Sequence, residues 1–248
     1  MRNYENEVTK RVEFIKSVLT NARADGIVFG NSGGKDSALV GILCKKACNN
    51  TVGLIMPCGS KRNYEMDKAD AEALAKQYDI STRIIDLIGA QDELLRVVRD
   101  ITQPSDNAIA NIAPRLRMTA LYAVASSENR LVAGTGNRSE RYMGYFTKWG
   151  DGAYDFNPIF DLTVTEIYEF LRYLRAPDCI INKAPSAGLF DGQADESEMG
   201  ITYSSLDAFL LTGTVNDQDR AIIDKWHKSS EHKRNMPITF KERSTAME

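Results

Sequence analysis

The densest group of residues that could do chemistry lies between positions 27 and 37, in the string I-V-F-G-N-S-G-G-K-D-S. A short apolar run precedes a loop of small residues, and a helix-like pattern follows. A glycine-rich turn between a strand and a helix binds phosphate through backbone N–H groups and the positive end of the helix dipole. Its lysine and hydroxyls can add donors, and its aspartate is suited to magnesium. The sequence therefore predicts a polyphosphate-binding loop formed by Gly30, Asn31, Ser32, Gly33, Gly34, Lys35, Asp36 and Ser37.

The spacing of this loop excludes two common nucleotide-binding motifs. A Walker A loop has four residues between its first glycine and G-K, followed by Ser or Thr. Here three residues separate Gly30 from Gly34, and Asp36 occupies the Ser or Thr position. The string is not G-x-G-x-x-G either, which disfavours a Rossmann dinucleotide site.

Three further stretches carry residues that could bind or polarise a substrate. They are N-I-A-P-R-L-R-M at 111–118, G-T-G-N-R-S-E at 134–140 and S-E-H-K-R at 230–234. Taken singly, they are compatible with a solvated helix face, an ordinary loop and a charged tail. If the second stretch lies beside the first loop, however, Glu140 can face Asp36 across a magnesium ion bound together with substrate phosphates.

The pattern of apolar residues predicts the elements that position these stretches. We predict strands at 27–30, 52–57, 82–87, 131–134 and 156–160, and helices at 2–22, 36–48, 64–78, 94–101, 111–127, 204–211 and 217–228. Thr163 and Glu166 form a capping box that begins a further helix. Alternation of strands and helices indicates a parallel sheet with helices on both faces and ligands at the carboxyl ends of its strands. We predict one domain over residues 1–248, with a mobile loop at 184–201 that closes over a reaction intermediate.

Composition limits the remaining possibilities. The chain has 248 residues, 31 basic and 34 acidic, and a net charge of −3, which gives no indication of nucleic-acid binding. No apolar run is long enough to span a membrane. The four cysteines are too few and too scattered for a disulfide framework, and we interpret Cys44 and Cys48 as buried structural thiols. A reduced cytoplasmic protein is predicted.

The string S-G-G-K-D-S resembles the S-G-G-x-D-S pyrophosphate loop of the N-type ATP pyrophosphatases. Together, the loop, the stretches at 111–118 and 134–140, Y-F-T-K-W-G-D-G at 145–152, K-A-P-S-A-G-L at 183–189 and E-H-K-R at 231–234 resemble the ammonia-dependent NAD synthetases over nearly the whole chain. The resemblance implies an adenine nucleotide alpha hydrolase-like, Rossmann-like topology. It also implies amidation of deamido-NAD (nicotinic acid adenine dinucleotide) to NAD through an acyl-adenylate, with Mg²⁺ and ATP.

The resemblance also implies roles for individual residues. ATP is bound by the loop from Gly30 to Ser37 and by Thr135 and Ser186, and magnesium is held by Asp36 and Glu140. Deamido-NAD is bound by Arg115, Lys148, Asp155, His232 and Lys233. No side chain is expected to act as a covalent nucleophile. Free ammonia, or ammonia from another protein, is the expected nitrogen donor. A homodimer is implied, with the apolar face of helix 2–22 and an exposed face at 108–126 as candidate interfaces.

Two positions depart from the family pattern. Val164 stands where many members have a lysine that contacts an ATP phosphate, so Lys35 or Lys183 is a possible replacement. Gly188 stands where the family has an acid. The alternatives are another adenylating pyrophosphatase, such as a tRNA-thiolating or GMP-forming enzyme, and a non-catalytic ATP sensor. The acidic balance and the absence of paired C-x-x-C motifs disfavour the thiolating enzyme.

Overall fold

A computed structural model describes residues 2–59, 64–183 and 195–240. Within these ranges the chain forms a parallel sheet of β1 (Gly26–Gly30), β2 (Thr51–Ile55), β3 (Ser81–Ile84) and β4 (Arg130–Ala133). The strand order is β3-β2-β1-β4. In register, Val28 of β1 lies opposite Val52 of β2 on one side and Val132 of β4 on the other. This arrangement confirms the predicted fold class.

Helices surround the sheet on both faces. Those described are α1 (Tyr4–Ala22), α2 (Lys35–Ala47), α3 (Tyr64–Tyr78), α4 (Ile88–Arg99), α5 (Asp106–Ala110), α6 (Ile112–Ser127), α7 (Arg138–Met143), α8 (Val164–Leu174), α9 (Asp178–Ile181), α10 (Asp195–Met199), α11 (Tyr203–Thr212), α12 (Asp217–Ser229) and α13 (Glu231–Arg234). No helix in the described part of the chain is long and apolar enough to cross a membrane.

The side chains of β1 alternate between two apolar clusters, as the period of a strand requires. Ile27 and Phe29 are fully buried in a cluster with α1, α2, α3 and α8. Val28 is fully buried on the opposite face, where α6 covers the sheet. The apolar face of α1 is used in the first cluster, through Ile15 and Leu19, so it is not a free surface for a partner.

The order of the strands determines where a ligand can bind. The chain runs outward from β1 to β2 and β3, and then returns to place β4 on the other side of β1. In open α/β sheets, ligands bind in the crevice beyond the carboxyl ends of the strands at such a switch point. The loops that follow β1 and β4 meet there.

Several of the predicted elements differ from the structure. Residues 156–160 form only an isolated parallel bridge between Phe156 and Ala133, because Pro158 has no N–H to donate and Asn157 Oδ1 accepts the next N–H, that of Ile159, at 2.9 Å. Residues 138–143, predicted as loop, form α7. In the predicted loop at 184–201, residues 195–199 are helical, while 184–194 lie outside the described residues.

The cysteines are all free thiols. Cys44 is buried and Cys48 is half-buried, packed against the main core, in agreement with the structural role predicted for them.

Candidate active site

The loop after β1 turns tightly under α3. Gly33 has φ of 71°, and a Cβ at this position would lie 2.3 Å from the backbone oxygen of Asp67, so only glycine fits. Ser32 Oγ lies 3.1 Å from Ser37 Oγ and accepts a hydrogen bond from the Gly34 N–H at 3.3 Å. No described side chain caps α2, whose first N–H groups therefore remain oriented for an anion.

Asn31 has a different orientation from its neighbours in this loop. Its side chain is buried, and Nδ2 donates to the carbonyl of Ala71 at 3.1 Å. The Asn31 N–H donates to the Leu54 carbonyl at 2.8 Å, which extends the pairing of β1 with β2 by one residue. The Asn31 side chain thus fixes the loop to α3.

Charged groups are concentrated where the two loops meet. Lys35 is buried, and its Nζ lies 2.8 Å from Asp36 Oδ2. Burial opposes its charge, but Asp36 and Glu140 more than offset this effect and raise the pKa of Lys35. Burial, followed by the negative charge of Asp36, raises the pKa of Glu140 well above its usual value, while Lys35 opposes the rise.

A third carboxylate adds to this negative charge. Asp195 begins α10, is buried, and accepts a hydrogen bond from the Tyr203 hydroxyl at 3.1 Å. It acts with Asp36 to raise the pKa of Glu140, and burial together with Glu140 raises the pKa of Tyr203. The cluster therefore carries more carboxylates than cations, which makes it a favourable place for a bound cation.

The Asn137 side chain joins the two loops. It is fully buried and caps α7, because Oδ1 accepts the Glu140 N–H at 2.9 Å. Its Nδ2 donates to Asp36 Oδ1 at 3.0 Å. In return, Glu140 Oε2 accepts the Asn137 N–H at 3.2 Å, which completes a capping box. The two carboxylates predicted to hold magnesium are thus brought together through one amide.

A buried polar network fixes α7 from its other side. Asp207 of α11 accepts a hydrogen bond from Ser139 Oγ at 2.5 Å and another from the Thr165 N–H at 2.7 Å. Ser139 Oγ also accepts the Val164 N–H at 3.3 Å. Three helices therefore meet around one carboxylate, and the position of Glu140 depends on them.

The segment between β4 and α7 contains Thr135, a further predicted ATP contact. A Cβ on Gly134 would lie 2.3 Å from the ring of Tyr154, so this position also requires glycine. Thr135 is half-buried in the segment, and around Gly136 the structure leaves open space. Ser186 lies outside the described residues.

A cavity of about 240 Å³ extends from this segment. It is lined by Gly136, Glu140, Arg141, Phe146, Lys148, Trp149, Asp151, Gly152, Tyr154, Phe160, Lys233, Arg234, Asn235 and Met236. Three of its aromatic rings have a cation beside them. Lys148 Nζ lies 5.5 Å from the Trp149 ring centroid, and Lys233 Nζ lies 5.6 Å from the Phe146 ring centroid. Arg141 Cζ lies 3.8 Å from the Phe160 ring centroid. The cavity suits an anion with a flat ring.

Four of the five residues predicted to bind the dinucleotide lie close together. Lys148 Nζ donates to the carbonyl of His232 at 2.5 Å, and Arg115 donates to the carbonyl of Lys148 at 3.5 Å. Lys233 Nζ donates to the carbonyls of Gly144 and Phe146 at 2.8 and 2.9 Å. Burial lowers the pKa of Lys233. The side chains of Lys148 and Lys233 line the cavity, whereas Arg115 and His232 are exposed.

Asp155 is placed apart from that group. Its carboxylate accepts the Val132 N–H at 2.7 Å and the Tyr122 hydroxyl at 3.2 Å, at the outer edge of β4. It is exposed, and it is not part of the cavity lining.

The two possible replacements for the family lysine have different surroundings. Lys183 Nζ contacts Asp67 and Asp70 on α3, each at 2.7 Å, and is occupied by these ion pairs. Lys35 lies in the phosphate loop itself. Val164 is buried. Of the two lysines, Lys35 is therefore the better placed to act at the site.

Sequence reasoning did not assign Asn137, Arg141, Trp149 and Phe160. Asn137 was detectable, because Asn followed three residues later by Glu marks the start of a helix. Nothing in the local sequence shows that the side chains of Arg141, Trp149 and Phe160 share one cavity, so the sequence could not identify them as site residues.

The fold and site define a nucleotide-binding α/β protein with an anion-binding loop at a switch point and an acidic cluster beside it. Residues 7–237 match the sequence model of the NAD synthase family. The NH(3)-dependent NAD(+) synthetase of Carboxydothermus hydrogenoformans is 45% identical over 95% of this chain and 97% of its own. An NMN synthetase from Francisella tularensis superposes with a TM-score of 0.92 at 38% identity, covering 98% of this chain and 100% of its own. An NH3-dependent NAD synthetase from Campylobacter jejuni superposes with a TM-score of 0.80 at 29% identity, covering 97% of this chain and 100% of its own.

This chain belongs to the NAD synthase family. The family confirms the resemblance to ammonia-dependent NAD synthetases and the predicted class of enzyme, a ligase that forms a C–N bond. It also separates the chain from tRNA-thiolating and GMP-forming relatives and from an ATP sensor.

Proposed function

We propose that this chain amidates deamido-NAD with ammonia at the expense of ATP and Mg²⁺, giving NAD, AMP and pyrophosphate. The observation that carries the proposal is the contact of Asn137 with Asp36, which joins the phosphate loop to the helix that bears Glu140. Glu140 also lines the cavity that holds Lys148 and Lys233. A nucleotide at the loop and an anionic substrate in the cavity would thus meet beside one acidic cluster.

The phosphate loop provides the groups expected to hold ATP. The N–H groups at the start of α2 and the hydroxyls of Ser32 and Ser37 are the proposed donors to the ATP phosphates, with Lys35 as the buried cation. Thr135, after β4, is proposed to contact ATP from the neighbouring strand, and Ser186 is proposed on the resemblance alone.

The acidic cluster fits Mg²⁺ rather than a metal held entirely by protein. Within the described ranges, no three His, Cys, Asp or Glu side chains form a metal site by themselves. Mg²⁺ typically takes one or two carboxylates and completes its shell with water and substrate phosphates, which matches Asp36 and Glu140. When bound, the ion would neutralise charge on the departing pyrophosphate.

The proposed reaction has two steps. The nicotinate carboxylate attacks the α-phosphorus of ATP, so the bond between this phosphorus and the bridging oxygen breaks and pyrophosphate leaves. The nitrogen of ammonia then attacks the acyl carbon, the bond to the AMP oxygen breaks, and the nitrogen loses a proton. Lys35 and the α2 N–H groups stabilise charge in the first step, and no side chain needs to become covalently linked.

Ammonia as donor is supported by relatives named NH(3)-dependent that match over nearly their full length. A homodimer is proposed through the exposed face at 108–126, where Ile109, Ile112 and Met118 are half-exposed. The free thiols agree with the reducing, cytoplasmic location that we propose.

A second candidate is amidation of the mononucleotide, nicotinate mononucleotide. It is favoured by one observation, the superposition on a protein named NMN synthetase, whose TM-score and identity exceed those of the NAD synthetase from Campylobacter jejuni. Both reactions share the ATP chemistry. The substrates differ only in the adenosine monophosphate unit that the dinucleotide carries beyond its first phosphate.

One assay tests both candidates. The chain is incubated with Mg-ATP, ammonium and either deamido-NAD or nicotinate mononucleotide, and products are separated by ion-exchange chromatography. We expect NAD, AMP and pyrophosphate in equal amounts, with a higher kcat/KM for deamido-NAD. A higher value for the mononucleotide would establish the second candidate, and ADP formation or binding without turnover would overturn the adenylation mechanism.

Two controls sharpen the result. Asp36→Asn is expected to abolish turnover of either substrate, whereas Glu93→Gln, a change on the exposed surface of α4, is expected to leave it unchanged. Glutamine in place of ammonium should give no product, and glutaminase activity of the chain would contradict the assignment of ammonia as donor.

A further inference from the structure

Trp149 has an unusual backbone for a large residue. Its φ is 61°, in the left-handed region, and the residue is 50% exposed at the cavity. A bulky residue in this region is an outlier, and such outliers concentrate at ligand sites, where the surrounding structure imposes them. A glycine would adopt the same φ without strain, so the tryptophan ring is the feature that needs an explanation.

The residues on either side of Trp149 are held by close contacts. Gly150 packs so closely on Pro114 and Thr147 that a Cβ would lie 2.9 Å from each side chain. Thr147 Oγ1 donates to Asn111 Oδ1 at 2.7 Å. The segment is therefore anchored on both sides of Trp149, and its ring is held at the mouth of the cavity rather than placed there by chance.

The cavity is too small to enclose a whole dinucleotide. The cavity volume of about 240 Å³ is below the roughly 300–1,000 Å³ of clefts that enclose drug-sized ligands. A dinucleotide is larger than most drug-sized ligands, so the cavity cannot enclose all of it. The reacting carboxylate belongs near Glu140, which lines the cavity and lies beside the buried Lys35 and Asp195. The pyridine half then fills the cavity, and the second half of the substrate must extend past its solvent side.

Trp149 is the aromatic side chain with the greatest exposure among those that line the cavity, and Lys148 Nζ lies 5.5 Å from its ring centroid. An aromatic face beside a lysine suits a nucleobase attached to a phosphate. We propose that Trp149 stacks on the adenine ring of the dinucleotide and is thereby a residue that selects a dinucleotide over a mononucleotide. This inference rests on the proposed function, since it concerns the same site.

The test compares Trp149→Ala and Trp149→Phe with both substrates. Stacking of one base on an aromatic side chain corresponds to roughly a 5- to 150-fold change in Kd. We expect Trp149→Ala to raise KM for deamido-NAD within that range, and to raise KM for nicotinate mononucleotide, which has no adenine ring, by a much smaller factor. Trp149→Phe, which keeps an aromatic face, should restore most of the affinity. Equal KM values for deamido-NAD in wild type and Trp149→Ala would overturn the proposal.

A spectroscopic measurement tests the contact directly. The chain has two tryptophans, so Trp226→Phe leaves Trp149 as the sole tryptophan reporter. Deamido-NAD is expected to quench its fluorescence, and nicotinate mononucleotide at saturation is expected to leave it nearly unchanged. Equal quenching by the two would place the pyridine ring at Trp149 and overturn the assignment to adenine. If neither substrate is amidated by the wild type, the proposed function fails instead, which the activity assay shows separately.

Discussion

Asn137→Asp is the most informative single substitution, because it changes a charge without changing a shape. Aspartate caps a helix as well as asparagine does, so α7 should still form. The contact with Asp36, however, becomes one between two carboxylates about 3.0 Å apart. With an effective dielectric constant of about 20, two unit charges at this distance repel each other by roughly 5 kcal/mol.

The protein can avoid part of this cost by keeping a proton on the pair. At pH 7 an ordinary aspartate is about three pH units above its pKa, so holding the proton costs about 4 kcal/mol, which sets the upper limit of the destabilisation. The folded variant then binds a proton that the unfolded chain lacks. The loss of stability relative to wild type is therefore small near pH 4 and grows as the pH rises towards 7.

Urea denaturation at pH 4.5 and 7.5 in the presence of EDTA measures this difference. Asn137→Ser is the matched control, because serine keeps the cap but cannot donate to Asp36 in the same geometry. Its deficit, about 2 kcal/mol for a lost hydrogen bond to a charged group, should be the same at both pH values. If Asn137→Asp also showed no dependence on pH, its side chain could not lie against Asp36. Mg²⁺ should reduce the Asn137→Asp deficit at pH 7.5.

Three further substitutions test other parts of the site. Glu140→Gln removes a carboxyl group whose pKa is raised by burial and by Asp36. Because a carboxyl group with a raised pKa destabilises the folded protein as the pH rises, we expect the variant to have a higher Tm than wild type at pH 7.5 in EDTA but not at pH 4. Its kcat should be lower on the order of 100-fold. Gly33→Ala should lose about 2–4 kcal/mol in urea and raise KM for ATP, because its Cβ would meet the Asp67 carbonyl at a strained φ. Asp207→Ala should lose about 3–5 kcal/mol, since it removes the acceptor of one buried and one partly buried hydrogen bond.

The last two of these substitutions each have a control elsewhere in the chain. Gly89→Ala, where a Cβ meets no atom within 4 Å, should be neutral or slightly stabilising. Asp224→Ala breaks an exposed ion pair on α12 and should cost at most about 0.5 kcal/mol. Losses as large as those of Gly33→Ala or Asp207→Ala in these controls would show that the effects are not specific to the site.

Much of the architecture was predictable because it is encoded locally. The apolar pattern placed β1, β2, β3 and β4 and the long helices to within a few residues, except that α4 begins six residues earlier than predicted. The capping box from Thr163 to Glu166 is present, with the Glu166 N–H bonded to Thr163 Oγ1 at 3.4 Å. Predictions were wrong where local signals conflict, as at 156–160, where a proline interrupts an apolar run. The single-domain assignment stays a prediction.

For the site, the sequence determined the chemical types: a glycine-rich anion loop, two carboxylates and a set of cations. It could not determine that Asn137 links Asp36 to α7, that the Asn31 side chain is directed into the core, or that Asp155 lies at the edge of β4 away from the cavity. The first and the last of these facts depend on β4 pairing with β1 rather than with β3, which brings together Asn137 and Asp36, about 100 positions apart. The orientation of Asn31 depends on the packing of α3 against the loop. Residue type and helical or strand period are properties of neighbouring positions. Proximity across a sheet is decided only when the whole chain packs.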